Sequence, residues 1–212
     1  ESLQNLRSEH MADFDIYCGE YAGKNVVLAL SGIGKVNAAL STALVLQHRP
    51  DFVINTGSAG GLGSGLKVGD VVIGTQTAHH DVDVTAFGYA IGQVPQLPPA
   101  FASDHALVTA AERAAVAFPN AAVRRGLIVS GDRFVHSSEA VAAIRKNFPD
   151  VQAVEMEAAA IAQTCAQFGL PFVVIRAVSD AADEKADVSF DEFLQTAAVH
   201  SAEMVDGMIR EL

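Results

Sequence analysis

The stretch Val154-Glu155-Met156-Glu157 ends a short, mostly apolar run, and Arg176-Ala177-Val178-Ser179-Asp180 ends a second one further along the chain. Each run gives way to residues that can form a helix. A strand that leads into a helix is the repeating unit of an open α/β sheet, in which ligands bind beyond the carboxyl ends of the strands. The sequence therefore predicts that the carboxylates of Glu157 and Asp180 project into one crevice.

The rest of the chain alternates strand-like and helix-like segments. Apolar, β-rich runs predict strands at Lys24–Ser31, Phe52–Asn55, Asp70–Ile73, Arg124–Val129, Val151–Val154 and Phe172–Ile175. Helical patterns occupy Val36–Gln47, Glu139–Asn147, Glu157–Phe168 and Ser189–Leu212, the last with Ser189 as its N-cap. This alternation predicts one α/β domain over residues 1–212, with three α/β/α layers around a central mixed, mostly parallel sheet.

The composition fits one domain with a sizeable core. The 212 residues are 50% hydrophobic and 18% charged, and the formal net charge is -11. Nucleic-acid binding needs clustered Lys and Arg residues, whereas Arg124-Arg125 is the one basic pair of note. No apolar stretch reaches the length of about 20 residues that a membrane helix needs. We therefore expect neither a nucleic acid nor a membrane as a partner.

The cysteine and histidine patterns do not predict a metal site. Cys18 and Cys165 are far apart in sequence, which fits neither metal-ligand spacing nor a disulfide framework. Cys165 lies in an apolar helical pattern and is predicted to be a core residue. His79 and His80 are adjacent in a strand-like segment, so their side chains should point to opposite faces.

Two glycine-rich turns follow predicted strands, at Ser31–Gly34 and Thr56–Gly61. Glycine allows backbone N–H groups to approach a ligand, but tight strand-to-helix turns are an equal interpretation. Neither turn is a GxGxxG motif or a P-loop, so neither a dinucleotide nor a triphosphate is predicted. The segment Asp81–Phe101 contains Gly, Pro and aromatic residues, and is interpreted as a functional loop or an interface.

Each acidic residue of the two opening stretches also has a structural interpretation. Asp180 could cap the following helix, and Glu157 could complement a helix dipole in the first turn. Glu155 is interpreted as structural, paired with Arg176. The residues alone leave these alternatives open.

Several motifs occur in an order that resembles one known family. They are Ser31-Gly-Ile-Gly-Lys-Val36, Asn55-Thr-Gly-Ser-Ala-Gly-Gly61, Asp83-Val-Thr-Ala-Phe-Gly-Tyr89, Gly126-Leu-Ile-Val-Ser-Gly-Asp132, Val154-Glu-Met-Glu157, Arg176-Ala-Val-Ser-Asp180 and Ser189-Phe-Asp-Glu-Phe193. Each motif alone is weak, but the ordered set is highly specific. Over roughly residues 14 to 212, the chain resembles the bacterial 5′-methylthioadenosine/S-adenosylhomocysteine nucleosidases.

This resemblance implies a nucleoside phosphorylase-like fold and hydrolysis of the bond between adenine and ribose, without a cofactor or a metal. Asp180 matches the family's general acid, which protonates or hydrogen-bonds N7 and N6 of adenine, and Ser179 matches its orienting neighbour. Glu157 matches the residue that holds the ribose hydroxyls. The resemblance further implies binding positions at Met156, Phe134, Val135 (through its backbone), Ser58, Gly60, Ile33 and Phe190.

The same resemblance gives the long loop a role, because in this family the loop crosses a dimer interface. Val84, Phe87 and Pro95 would complete the partner's pocket for the 5′-alkylthio group. The resemblance therefore implies a cytoplasmic homodimer that binds adenine thionucleosides.

The start of the chain departs from the family pattern, in which a strand precedes a glutamate that activates the attacking water. This chain begins beyond that strand, so the 1–212 domain is expected to lack it. The segment Glu1–Arg7 is expected to belong to the helix after it. Glu1 is a candidate for the glutamate only if the following segment is shortened.

Other functions stay open at this stage. A purine nucleoside phosphorylase of the same fold would use phosphate, but Asn55 stands where related phosphorylases place an arginine on that phosphate. An AMP nucleosidase is disfavoured because the inferred 5′ pocket is apolar, and an aminodeoxyfutalosine nucleosidase is a further relative. A nucleoside-binding protein without catalysis would bind adenine nucleosides and release no adenine.

Overall fold

The computed structural model describes residues 3–115, 121–183 and 186–212, apart from the side chains at 187–189 and 191. The first three strands form an antiparallel meander: β1 (Gln4–Met11), β2 (Phe14–Tyr21) and β3 (Lys24–Ala29). The prediction of a helix over Glu1–Arg7 was wrong, because the chain is a strand from Gln4 onward, and Glu1 itself lies outside the described residues. The polar β1 sequence carries no clear apolar period, so pairing with β2 decides its conformation.

The second sheet has six strands in the order β6-β5-β7-β8-β4-β9. The strands are β4 (Val53–Gly61), β5 (Val71–His79), β6 (Phe101–Ala102), β7 (Val123–Ser130), β8 (Val151–Glu155) and β9 (Phe172–Asp180). The predicted strands are confirmed, although most extend further than the sequence pattern indicated. The short strand β6 and the meander strands β1 and β2 were not predicted.

This sheet closes on itself, because β5 pairs with β9 as well as with β7. The β5/β7, β7/β8 and β4/β9 pairs are parallel, whereas β4/β8 and β5/β9 are antiparallel. The predicted α/β class and mixed sheet are confirmed. The alternation of segments did not predict the closure, and an open three-layer sheet does not describe a barrel of five strands.

Strand β9 closes the barrel by pairing with both β4 and β5, and all of its residues are buried. Successive side chains of a strand point to opposite faces. Accordingly, Val174 and Val178 pack in one apolar cluster and Val173 and Ile175 in another. A strand that is buried on both faces reads as a continuous apolar run, which is why the sequence signal of β9 was strong.

Five helices surround the barrel in the described part of the chain. They are α1 (Lys35–Val45), α2 (His105–Ala115), α3 (Ser138–Asn147), α4 (Ala158–Gln167) and α5 (Ala186–Glu211). Helices α1 and α4 contribute to the first cluster, and α2 and α5 contribute to the second. Helix α5 begins before the predicted Ser189, whose side chain lies outside the described residues, and α2 was not predicted.

Strand β4 runs through the segment Thr56–Gly61, which was interpreted as a turn. Its glycines serve close packing instead. A Cβ atom on Gly57 would lie 2.5 Å from Nη1 of Arg176, and one on Gly60 would lie 2.9 Å from Cβ of Ala182. Glycine is therefore required here because neighbouring side chains occupy the space of a Cβ.

Two further expectations can be compared with the fold. Cys165 is fully buried in the cluster with α1 and α4, which confirms it as a core residue, and burial raises the pKa of its thiol to about 12. Within the described residues, the helices are too short or too polar to cross a membrane.

The packing of α5 against the barrel predicts that truncating a buried side chain of this helix lowers stability more than truncating an exposed one. Met204 is fully buried, whereas Val199 is 53% exposed. Met204→Ala should lower the free energy of unfolding by about 2–5 kcal/mol because it leaves a cavity. The control Val199→Ala should change it by less than about 0.5 kcal/mol. Urea unfolding measures both, and equal effects would contradict the described packing of α5.

Candidate active site

A cavity of about 380 Å³ opens at the carboxyl ends of β4, β8 and β9. Its volume is within the range of small-molecule sites. The lining residues are Ile33, Ser58, Ala59, Gly60, Arg133, Phe134, Val135, Val154, Glu155, Met156, Glu157, Ser179, Asp180 and Phe190. Every residue that was predicted to act within one protomer's own pocket is in this set. The structure therefore brings residues from five separate motifs of the chain to one place.

Asp180 ends strand β9 and is buried. Its Oδ1 accepts a hydrogen bond from the backbone N–H of Ala182 at 2.8 Å, and its Oδ2 accepts one from Oγ of Ser179 at 2.9 Å. Burial raises the pKa of this carboxyl, and the two hydrogen bonds only partly oppose the shift. Asp180 is thus a carboxyl that retains its proton to higher pH than an ordinary aspartate.

Ser179 provides a second hydrogen-bonding option beside this carboxyl. Its hydroxyl lies 3.4 Å from the carbonyl oxygen of Ala59 as well as 2.9 Å from Oδ2 of Asp180. A hydroxyl can donate one hydrogen bond and accept others. It can therefore donate to ionised Asp180, or accept from protonated Asp180 while it donates to Ala59.

Glu157 faces the same cavity from the start of α4. Its Oε1 accepts the backbone N–H of Gly34 at 3.0 Å, and its side chain makes no capping bond to α4. Burial raises the pKa of Glu157, and the nearby charge of Glu155 raises it further, while the Gly34 N–H lowers it. The alternative in which Glu157 only complements the helix dipole is therefore less apt than one in which its second oxygen is available to a ligand.

Glu155 caps the helix instead, and its predicted pairing with Arg176 is confirmed. Its carboxylate accepts the backbone N–H groups of Glu157 and Ala158 and forms a buried ion pair with Arg176, with 2.5 Å between Oε2 and Nη2. Burial alone would raise the pKa of Glu155, but the Arg176 guanidinium, together with hydrogen bonds from Ser130 and these backbone groups, holds it below its usual value. Glu155 is thus a fixed anion behind the cavity.

A smaller polar cavity of about 160 Å³ adjoins the first and shares Ile33, Ser58 and Glu157 with it. Its other lining residues are Ser31, Gly32, Asn55, Thr56, Gly57 and Arg176. Nη2 of Arg176 donates to Oδ1 of Asn55 at 2.8 Å. Nε of Arg176 is buried and has no hydrogen-bond partner among the described residues.

Two aromatic rings form one wall of the same cavity. Phe134 and Phe190 meet edge to face, with 6.0 Å between their ring centroids. Aromatic faces of this kind suit a flat heterocycle. The sequence analysis identified both rings, but it missed Arg133, which lines the same wall and carries no local signal of that position.

The three loop residues predicted to act on a partner do not line the cavity of their own chain. Val84, Phe87 and Pro95 lie in the segment after β5, where Thr85–Phe87 form one turn of 3₁₀ helix. Phe87 is 82% exposed. A large exposed aromatic ring on an ordered loop is typical of a residue that another surface covers.

The glycine-rich turn before α1 lines the two cavities and also donates backbone N–H groups to two carboxylates. The Gly34 N–H holds Glu157, and the Lys35 N–H donates to Oδ1 of Asp132 at 2.7 Å. The side chain of Lys35 also pairs with Asp81 at 2.6 Å. The sequence analysis identified the turn but not its partners, because Asp81 and Asp132 are distant along the chain.

Comparison with known proteins shows which family the chain resembles. The family model of the phosphorylase superfamily matches residues 2–210. The 5′-methylthioadenosine/S-adenosylhomocysteine nucleosidase of Anoxybacillus flavithermus is 54% identical over 213 aligned residues, which cover 100% of this chain and 92% of the relative.

Solved structures give the same result. The nucleosidase of Neisseria meningitidis in complex with methylthio-immucillin-A superposes with a TM-score of 0.97 at 69% identity, covering 99% of this chain and 91% of that one. The Colwellia psychrerythraea nucleosidase in complex with adenine gives a TM-score of 0.96 at 47% identity, covering 99% and 88%. With the whole described site inside these matches, the chain belongs to the 5′-methylthioadenosine/S-adenosylhomocysteine nucleosidase family of the phosphorylase superfamily.

Proposed function

We propose that this protein hydrolyses the N-glycosidic bond of 5′-methylthioadenosine and S-adenosylhomocysteine, releasing adenine and the 5-thioribose product. The observation that carries the proposal is one cavity lined by the carboxyls of Asp180 and Glu157 and by the contacting rings of Phe134 and Phe190. The names of the relatives and the adenine and methylthio-immucillin-A complexes support the substrate class.

Asp180 is the general acid in this proposal. An adenine anion is a poor leaving group, and a proton on N7 converts it into a neutral one, so that the bond between C1′ and N9 breaks towards a ribosyl oxocarbenium ion. A general acid works best when its pKa lies near the working pH. The raised pKa of Asp180 supports this role, and Ser179 can follow the change in protonation by switching its hydrogen bond to Ala59.

Glu157 holds the ribose. A carboxylate offers two acceptor oxygens, and the 2′ and 3′ hydroxyls of ribose are two donors. Because Oε1 of Glu157 already accepts the Gly34 N–H, the carboxylate is fixed in orientation before the substrate arrives. Such fixed acceptors need no reorganisation as charge develops on the sugar.

The remaining lining residues have binding roles. Phe134 and Phe190 would enclose the base, the backbone of Val135 would read the purine edge, and Met156 would pack against ribose. Ser58, Gly60 and Ile33 lie on the ribose side, and a Cβ atom on Gly60 would lie 3.0 Å from Oδ1 of Asp180. We therefore expect any side chain at position 60 to displace the acid.

The charges around the smaller cavity favour the binding of water over that of phosphate as the nucleophile. A phosphate dianion needs strong charged donors such as arginine. Here Arg176 is already engaged by Glu155 and Asn55, and the carboxylate of Glu157 lines the same space. A phosphate dianion would meet the like charge of Glu157, whereas a water molecule carries no net charge. We assign no described residue to the deprotonation of this water, and the sequence candidate Glu1 lies outside the described residues.

A homodimer completes the proposal. Ile33 lines the cavity yet is 73% exposed, and Val36 and Leu40 lie on one exposed face of α1 four residues apart. An exposed apolar surface at the mouth of a site is typical of an interface. A second copy would cover it and insert Phe87, with Val84 and Pro95, beside the 5′ substituent.

The first test of the function is adenine release from 5′-methylthioadenosine by the 212-residue chain, measured with and without inorganic phosphate. We expect equal release in both conditions. Release only with phosphate would make the protein a phosphorylase despite Asn55. Saturable binding without release would make it a nucleoside-binding protein.

Asp180→Asn should lower adenine release by about 10²–10⁴-fold, because it removes the proton donor while it keeps both hydrogen-bonding positions. The exposed Asp150→Asn is the control and should retain full activity. Near-normal turnover of Asp180→Asn would refute the role of the acid.

The same variant tests the pH dependence. Because the working form of Asp180 is protonated, kcat/KM of the unaltered protein should fall as pH rises through the raised pKa. The raised pKa also means that ionised Asp180 destabilises the fold, so stability falls as pH rises from the unfolded pKa to the folded one. The melting temperature of Asp180→Asn should therefore equal or exceed that of the unaltered protein at neutral pH, and a lower one would contradict the buried, proton-retaining carboxyl.

Phe87→Ala should lower kcat/KM for 5′-methylthioadenosine by about tenfold or more, since an apolar contact with the alkylthio group is lost. Adenosine, which lacks this group, should lose less. Phe168→Ala, at an exposed phenylalanine outside the loop, is the control and should affect neither substrate. Equal losses for both substrates would argue against a 5′ pocket at Phe87.

A further inference from the structure

A second group of chemically reactive side chains lies outside the cavity, between the meander and the end of α1. It consists of Glu9 on β1, Cys18 on β2 and His48 in the 3₁₀ turn Leu46–His48. Sγ of Cys18 lies 3.8 Å from Nδ1 of His48, and Oε2 of Glu9 lies 3.8 Å from Nε2 of the same ring. One donor atom from each residue can be chosen so that all three lie within 4.8 Å of one another.

The strand register explains why these residues meet. Arg7 pairs with Cys18 across the β1/β2 ladder, and Glu9 pairs with Ile16. Paired residues share a face of the sheet, so Glu9 and Cys18 are diagonal neighbours on the face that fully buries Ile16. His48 approaches this face from the end of α1. The spacing of the two cysteines gives no signal of this group, because its members come from two paired strands and a turn about 30 residues further along the chain.

The hydrogen bonds of this group are incomplete. Nε2 of His48 is shielded from solvent and has no hydrogen-bond partner among the described residues. A separation of 3.8 Å from the Glu9 oxygen is too long for a hydrogen bond. Buried ring nitrogens are normally satisfied, so this arrangement indicates a missing binding partner that an imidazole, a thiol and a carboxylate can share.

We propose that Glu9, Cys18 and His48 bind one Zn²⁺ ion, with water as the fourth ligand. Thiolate, imidazole and carboxylate are the three ligand types that zinc combines in proteins. Ligands around a tetrahedral zinc lie about 3.3–3.8 Å apart when each bond is 2.0–2.3 Å long. The two 3.8 Å separations involve different nitrogens of the His48 ring, and only one of these nitrogens can bind the ion. The three donor atoms lie within 4.8 Å of one another, so side-chain rotations must bring them closer by up to about 1.5 Å to reach that geometry. The site is independent of the proposed hydrolysis.

A catalytic cysteine is the competing interpretation of the same group. Reactive cysteines occur in electropositive surroundings that stabilise the thiolate. Here a carboxylate, Glu9, shares the face of the sheet with Cys18, and both lie beside the same imidazole. A divalent cation attracts the carboxylate and the thiolate together. Three donor atoms of these types at one place therefore fit a metal ligand set better than a nucleophile with its base.

The position of the group indicates what the ion would do. The residues of β1 from Gln4 to His10 are exposed. At the far end of β2, Tyr21 hydrogen-bonds Asp206 and Arg210 of α5. A zinc ion would add a second attachment, between the meander and the end of α1. Zinc binding should therefore stabilise the fold, since a ligand that binds only the folded state raises its stability.

Co²⁺ is a suitable probe because a thiolate ligand gives it a charge-transfer absorption band. The chain is first dialysed against a chelator and then titrated with Co²⁺ alone. We expect a band that saturates at one ion per chain, disappears on addition of Zn²⁺, and accompanies a higher melting temperature with Zn²⁺. Cys18→Ser should abolish the band, and His48→Gln should weaken binding about tenfold or more.

Two matched variants control for the other cysteine and for a nearby exposed histidine. Cys165→Ala and His10→Gln should both retain the band and the Zn²⁺-dependent rise in melting temperature. A band that persists in Cys18→Ser, or no saturable binding to the unaltered chain, would overturn the proposal. If Cys18→Ser does not fold, Glu9→Gln at the exposed ligand provides the test, and unchanged Zn²⁺ affinity in that folded variant would equally overturn it.

Discussion

The ion pair between Glu155 and Arg176 joins the end of β8 to the middle of β9 and sets the electrostatics of the whole site. Burying two charges is costly, and their attraction offsets that cost only when the remaining donors and acceptors are also satisfied. Here Ser130 and the first backbone N–H groups of α4 supply partners for the Glu155 carboxylate, and Asn55 accepts from Nη2 of Arg176. Nε of Arg176 has no partner among the described residues. Removal of either charge from such a pair typically costs about 3–5 kcal/mol, so the geometry of the cavity depends on both residues.

This pair also determines which carboxyls are available for chemistry. The guanidinium of Arg176 holds Glu155 ionised behind the cavity, and a carboxylate in that position disfavours a second negative charge on Glu157. Burial raises the pKa of Asp180, and among the described residues no cation lowers it. Environments that shift the pKa values of neighbouring acids in different directions are how one site separates a proton donor from a fixed anion.

The sequence predicted the site more completely than the fold, for a physical reason. Glu157 and Asp180 follow strong apolar runs, and ligands bind beyond the carboxyl ends of such strands, so these two residues could be brought together on the pattern alone. The other lining residues were predicted from the family resemblance. Closure of the barrel depends on pairing between β5 and β9, which are distant in sequence and carry no local signal of partner choice. The glycines of β4 misled the analysis because glycine marks turns and close packing alike.

Glu157 and Asp180 both have raised pKa values without a ligand, so the proposed substrate must make them differ. Ribose hydroxyls are donors, and hydrogen bonds donated to a carboxylate stabilise its ionised form. N7 of adenine is an acceptor, and it stabilises the protonated form of the acid that faces it. Binding of a nucleoside would therefore lower the pKa of Glu157 and raise that of Asp180. The substrate would thus separate the proton donor from the ribose-binding carboxylate. Adenine without ribose would raise the pKa of Asp180 and leave that of Glu157 unchanged.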